Sequence, residues 1–171
     1  MKSFVKEWVI PLIAGCILAF IIKQLLFFVA FVPTGSMEPT IQPGERLLVT
    51  RVHKPEKLKR NDIVVFNFEE AGQVLVKRLI GLPGDKIKII EGVLFINGEE
   101  IDEPYIVYAD KETSFGGEEI TIPEDSYLFL GDNRPGSLDG RFWSSPFIKE
   151  SDIIGKARFV IFPLNKIRTV K

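Results

Sequence analysis

Apolar positions follow two rhythms along the 171 residues. From Trp8 to Val32 only Lys23 and Gln24 are strongly polar, so this run is apolar on every helical face rather than along one stripe. Its uncharged part, Trp8 to Ile22, would extend roughly 22 Å as a helix, against a bilayer hydrocarbon core of ~30 Å. A snorkelling Lys23, with Phe4 and Val5 upstream, lengthens the run enough for a tilted span. The expectation is a transmembrane anchor over residues 1–24. Lys2, Lys6 and the N-terminal amine then hold the N-terminus in the cytoplasm, with the remainder outside as a single-pass protein of the cell membrane. Three plainer readings compete: a cleaved secretory signal, a lipoprotein signal acylated at Cys16 in Ile13-Ala14-Gly15-Cys16, and a buried core helix. The run stays apolar from Ile17 to Ile22, where a lipoprotein turns polar, and its all-round apolarity weakens the buried helix.

After the anchor the period falls to two. Leu25–Val32, Arg46–Thr50, Asp62–Phe68, Gln73–Ile80, Lys86–Ile90, Val93–Ile96, Tyr127–Leu130 and Arg158–Phe162 read as short strands. Asn97-Gly98 predicts a type I′ hairpin turn, and Glu91-Gly92 makes a second tight turn. Only Pro55–Arg60 and Ile148–Asp152 suggest a helical turn. The expected fold is mainly β: a transmembrane helix followed by an all-β domain over residues 25–171, built as a curled antiparallel sheet or barrel.

Composition removes several classes of chemistry. With 22 Lys+Arg against 23 Asp+Glu and the basic residues dispersed, a nucleic-acid partner is not expected. One Cys and one His exclude an internal disulfide and a Cys/His zinc cluster. Charge is split unevenly, with +2 on residues 1–32 and −3 on the rest. Nothing in the pattern specifies an oligomeric state.

Three segments carry candidate chemistry. Pro33-Thr34-Gly35-Ser36-Met37-Glu38-Pro39-Thr40 breaks the strand pattern, and a hydroxyl on such a turn suits a nucleophile beside an oxyanion hole. Its plainer reading is a connecting loop. The nucleophile needs a base, and the lone His53 sits in the charged stretch Arg51–Lys57, which reads as solvated loop. The other route is a neutral lysine. In Val74–Ile80 the alternation puts Lys77 on the face of Leu75 and Leu79, with Arg78 opposite. A Lys77 half neutral at pH 7 must fall from ~10.4, a differential of roughly 4.6 kcal/mol, which full burial supplies. An edge-strand lysine reaching solvent is the plainer reading. The third segment, Gly131–Arg141, is dense in groups that bond the backbone; Asp139 and Arg141 are placed to pair and Ser137 to orient an amine. Its oxygens also suit a calcium ion, but Phe142 stands where an EF-hand loop needs Glu.

Taken in order, from the anchor to about Pro163, these segments resemble the type I signal peptidase family, membrane-anchored Ser/Lys endopeptidases. Pro33–Thr40 resembles the family's nucleophile box, Asn61–Phe66 its next, Lys77–Asp85 its lysine box and Gly131–Arg141 its last. The resemblance implies Ser36 as acylated nucleophile, Lys77 as general base, and the Ser36 N–H with the Thr34 hydroxyl as oxyanion donors. It also implies Ser137 as the group orienting the amine, and Asp132, Arg78, Asp139 and Arg141 as supports of the last box, Arg78 pairing with Asp132. Gly140 departs from the pattern, where Ser is usual, and one hydrogen bond of the loop is expected to be lost. Residues 86–125 correspond to the family's non-catalytic β subdomain, which is small here.

The implied reaction is removal of signal peptides from exported preproteins with small residues before the cut, accommodated by shallow pockets at Val32 and Pro33. The implied partners are those signal peptides and the lipid bilayer; no metal or organic cofactor is implied. Two rivals stand beside this reading. One is a self-cleaving repressor of the same Ser/Lys type, for whose DNA-binding helices the chain has no room. The other is a membrane-tethered β-barrel binding or assembly module without catalysis, which requires Ser36 and Lys77 to be out of contact.

Overall fold

The computed structural model describes residues 4–108 and 110–171. A π-helical turn at Val5–Val9 leads into α1, Ile10–Leu26, whose Ile13, Ile17, Phe20, Ile21 and Leu25 are all exposed. No described face of α1 is buried against the sheets, so it is not a core helix. The 17 residues of α1 extend about 25 Å. Among the described residues no helix is long and apolar enough to cross a membrane, so the expected spanning helix is not supported. Two local causes shorten it. The polar pair Lys6 and Glu7 falls in the π turn that interrupts the α-helical ladder, and the chain after Leu26 is captured by strand pairing. Lys2, on which the expected orientation partly rests, lies outside the described residues.

Twelve strands follow among the described residues: β1 Phe27–Phe31, β2 Arg46–Arg51, β3 Ile63–Phe68, β4 Gln73–Gly81, β5 Lys86–Ile90, β6 Val93–Ile96, β7 Glu99–Glu100, β8 Ile120–Thr121, β9 Ser126–Leu130, β10 Phe147–Lys149, β11 Ile153–Phe162 and β12 Arg168–Thr169. The larger sheet has the order β1-β2-β11-β3-β4-β9-β10 with β12 on β11, and each of these neighbouring pairs is antiparallel. Each expected strand overlaps one of these elements, but Leu25 and Leu26 of the expected first strand belong to α1; β8, β10, β12 and the first half of β11 are additions. Register shifts in β11 between Ala157 and Phe159 and between Val160 and Phe162 bend it, which curls the sheet.

Alternation along β3 explains why this sheet has two covered faces. Val64, Phe66 and Phe68 join Leu79, Phe129 and Trp143 in one core, while Ile63 and Val65 join Val32, Met37, Leu47 and Val49 in another. The Phe66 ring stacks on Phe129 and Phe68 on Trp143, each at 4.4 Å between centroids. Buried aromatics of this kind contribute about 1.5–3 kcal/mol each from burial alone.

Residues 86–121 form a second, four-stranded sheet in the order β7-β6-β5-β8. Its hairpin turns have both residues at positive φ, 48° and 80° at Glu91-Gly92 and 54° and 83° at Asn97-Gly98, the type I′ geometry read from the sequence for the second of them. Ile87, Ile89, Leu94, Ile96 and Ile122 pack on Ile80, Leu128 and Leu130 of the larger sheet, so this insertion shares a core with the strands that flank the candidate site.

Candidate active site

β4 places its lysine by simple alternation. Leu75 and Leu79 pack on the Phe66–Phe129 core and Val76 on the opposite one, so Lys77 faces inward with the first pair and is only 3% exposed. The turn after β1 is fixed from beneath: Met37 and Ile41 are fully buried, Ile41 N–H donates to Met37 O at 2.9 Å, and Glu38 N–H donates to Gly35 O at 3.1 Å. Ser36 is thereby held half-buried over β4, where Lys77 Nζ donates to its Oγ at 2.6 Å. The module without chemistry required these two groups to be apart; they touch.

Burial pulls the Lys77 ammonium down from 10.5 to about 8; Asp139 opposes this, Arg141 adds to it and Asp132 opposes it. At pH 7 roughly one amine in ten is then neutral, and the two carboxylates favour the ammonium. A neutral amine at this distance can accept the Ser36 proton, which is the requirement for making a serine nucleophilic.

The Gly131–Arg141 loop follows β9 and docks onto the Ser36 turn through its backbone. Asn133 N–H donates to Ser36 O at 3.1 Å and Asn133 Nδ2 to Gly35 O at 3.0 Å. Gly131 is required by close approach: a Cβ there would lie 2.5 Å from Ser36 O and 2.2 Å from Ser137 Oγ. Ser137 is buried next to the turn and its Oγ has no hydrogen-bond partner, so no bond joins it to Lys77 in this arrangement.

Arg78, on the other face of β4, forms a bidentate pair with the buried Asp132, Nε to Oδ1 at 2.8 Å and Nη2 to Oδ2 at 2.6 Å. Thr40 Oγ1 donates to the same carboxylate, joining the end of the Ser36 turn to the loop. Asp139 accepts from Arg141 Nε at 2.8 Å and from Gly131 N–H at 2.9 Å. Burial works against the Arg141 charge, but Asp139 and Asp110 outweigh it and raise its pKa. With both loop aspartates gripping guanidinium groups, their oxygens are committed to protein partners rather than to a cation.

Other expected residues lie as follows. Thr34 and Pro33 are exposed just before Ser36. Val32 is only 4% exposed, packed with Met37 and Ile41, so it offers the surface little of its side chain. His53 is exposed in a cleft lined by Arg51, Lys54, Lys57 and Arg158, apart from the Ser36 turn. Gly140 has a steric reason: a Cβ would sit 2.7 Å from Leu128 Cδ1 and 2.8 Å from Pro146 O. The sequence reading missed Thr40, Asn133 and Arg134. It also missed Glu103, Tyr105 and Asp110 of the insertion, which reach the arginines of the site. Asn133 had a signal, since an Asn amide in a tight turn bonds nearby backbone; the insertion residues had none.

The model of the signal peptidase family, peptidase S26, matches residues 5–162. The chain belongs to this family. Signal peptidase I P of Bacillus subtilis subsp. natto is 39% identical over 99% of this chain and 95% of its own length. Signal peptidase I of Bacillus licheniformis is 38% identical over 98% and 94% of the two chains. A signal peptidase I crystal structure from Enterococcus faecalis V583, 35% identical, superposes with a TM-score of 0.50 on 58% of this chain and 96% of its own. Likeness of this extent makes the chain an enzyme of the signal peptidase I type. The mainly antiparallel β architecture agrees with that structure.

Proposed function

We propose that this chain is a membrane-held serine endopeptidase that removes signal peptides from exported preproteins, with Ser36 as nucleophile and Lys77 as general base. The observation that carries the proposal is the 2.6 Å contact between a half-buried Ser36 hydroxyl and a buried Lys77 amine whose pKa is drawn to about 8. The neutral amine takes the hydroxyl proton as Ser36 Oγ attacks the scissile carbonyl carbon. The resulting oxyanion is met by the Ser36 N–H and the Thr34 hydroxyl. The Lys77 ammonium returns its proton to the leaving amine as the peptide bond breaks, leaving an ester on Ser36. A water deprotonated by the same amine then hydrolyses that ester and frees the enzyme. In this scheme the Asp132–Arg78 and Asp139–Arg141 pairs hold the last loop, the buried and unpartnered Ser137 hydroxyl turns to the amine only once Ser36 has been acylated, and the exposed Pro33, with the edge of Val32, borders the substrate cleft.

Lipid contact is part of the proposal. α1 exposes apolar side chains all round, and Leu25, Leu26, Phe27, Val29 and Phe31 continue that exposed surface onto β1, directly before the Ser36 turn. Uncovered apolar area of this size is stable only against lipid or a partner. Together with the π turn it forms a tether whose N-terminus, with Lys6, lies inside the cell and whose β domain lies outside. The test is processing of a preprotein with Ala-x-Ala before its cut site in cells carrying this chain as the sole such enzyme. Processing should occur, should stop when the Ala next to the bond becomes Phe, and protease added to spheroplasts should digest the β domain. Equal processing of both precursors contradicts the small pockets, and a protected β domain contradicts the orientation.

A further inference from the structure

Between β7 and β8 the insertion runs through an irregular segment whose described residues, 101–108 and 110–112, fold back over the loop following β9. Its backbone is held by the hairpins beneath it: Ile101 N–H donates to Leu94 O at 2.9 Å and Gly92 N–H to Glu112 O at 2.9 Å. Gly92 admits this segment, since a Cβ there would stand 1.9 Å from Asp110 O. Three side chains leave the segment toward the site. Glu103 takes both Nη groups of Arg134, at 2.9 and 2.5 Å. Asp110 takes Arg141 Nη1 at 2.7 Å. The Tyr105 ring covers the Arg78 guanidinium at 3.9 Å and its hydroxyl donates to Glu103 at 2.6 Å. Burial, reinforced by Glu103, raises the Tyr105 pKa, so the phenol remains a donor.

We infer that Glu103 and Asp110 are positioning residues for the reaction, holding the Gly131–Arg141 loop against the Ser36 turn through Arg134 and Arg141. Charge balance is the first reason. Buried Arg78 and Arg141 are met by the buried Asp132 and Asp139, but neither β4 nor the loop offers a carboxylate to the equally buried Arg134; the insertion supplies Glu103 to it and adds the half-buried Asp110 as a second carboxylate to Arg141. Without Glu103 the buried Arg134 is a stranded charge, so the loop would have to open to water to solvate it. Mechanical linkage is the second reason. Arg134 Nε donates to Gly131 O at 3.1 Å, and Arg141 Nη2 donates to Arg134 O at 2.6 Å. Gly131 and Asn133 are the residues in contact with Ser36 O, so a loop that swings at Arg134 displaces the Ser36 peptide. Displacements of about 1 Å at a reacting group cost up to ~100-fold in rate.

The inference rests on the Ser36/Lys77 reading, and one set of full-chain variants in lipid vesicles separates the two. Cleavage of an Ala-x-Ala preprotein is followed for kcat and KM separately. Glu103→Gln should lower kcat by roughly 10- to 100-fold with KM within about twofold of the parent. Glu103→Gln combined with Arg134→Gln should be no slower than the slower single variant, because the pair acts as one unit. Asp110→Asn, at a more exposed pair, should show the same split and replaces Glu103→Gln if the latter does not fold. A kcat within twofold of the parent in the folded variant, or losses that multiply in the double variant, overturns the inference. Ser36→Ala in the same vesicles addresses the underlying reading: activity retained there refutes the dyad, whatever the Glu103 result.

Discussion

Ser36→Ala and Lys77→Ala are each expected to lower cleavage by about 10⁴-fold or more while leaving the chain folded. The size of the effect follows from their interdependence: a nucleophile without its base, or a base without its nucleophile, leaves only binding and oxyanion stabilisation. Lys77→Arg should fail as completely, since a guanidinium keeps its proton and cannot accept one from Ser36. His53→Ala should retain cleavage within about twofold, because His53 is exposed in a basic cleft apart from the site. Near-full activity in Lys77→Ala, or a folded but dead His53→Ala chain, would overturn the assignment. Circular dichroism of each variant distinguishes lost chemistry from lost fold.

The largest expected effect on stability belongs to Asp132→Ala. Asp132 is fully buried and its carboxylate takes two donors from Arg78, itself 1% exposed, and one from Thr40. Removing it strands a guanidinium that keeps only uncharged partners: carbonyls such as Asn61 O at 3.0 Å, the Thr40 hydroxyl at 3.4 Å and the face of Tyr105. Breaking a buried pair in this way costs about 3–5 kcal/mol, whereas an exposed pair is worth 1 kcal/mol or less. Urea unfolding of the micelle-bound chain should therefore show a loss of about 3–5 kcal/mol with the slope unchanged. Arg78→Met with Asp132→Leu should lose less than Asp132→Ala, since it removes the stranded charge as well. A loss under 1 kcal/mol for Asp132→Ala would mean that water reaches the pair.

How much of this was legible in the sequence depends on the range of the interactions involved. Period-two alternation located β4 and put Lys77 with Leu75 and Leu79, and it worked because each face of β4 is buried against a defined core. The same rule missed the start of β11. Ile153-Ile154-Gly155-Lys156-Ala157 does not alternate cleanly, and Gly155 stands where a Cβ would meet Thr50 O at 2.6 Å, so pairing with β2 and β3 makes the strand. β8, β10 and β12 span only two or three residues each, too few for a period to register. Within the site, pairs inside one loop such as Asp139–Arg141 were readable from spacing. Glu103–Arg134 and Asp110–Arg141 were not, because each lies 31 residues apart and is brought together by the folding back of the insertion. The extent of the apolar helix was misjudged for a local reason: hydropathy reports neither the π turn at Val5–Val9 nor the pairing that takes Phe27 into β1.

The central claim is that a lysine, desolvated in place, is the base, and the pH dependence of kcat/KM measures that group in the free enzyme. Lys77 must be neutral to act, so activity is low while the ammonium persists and rises as pH passes its pKa. The account predicts an acid limb of unit slope centred at about 8, unaltered in His53→Ala. A limb centred near ~6.5 that disappears in His53→Ala would contradict it.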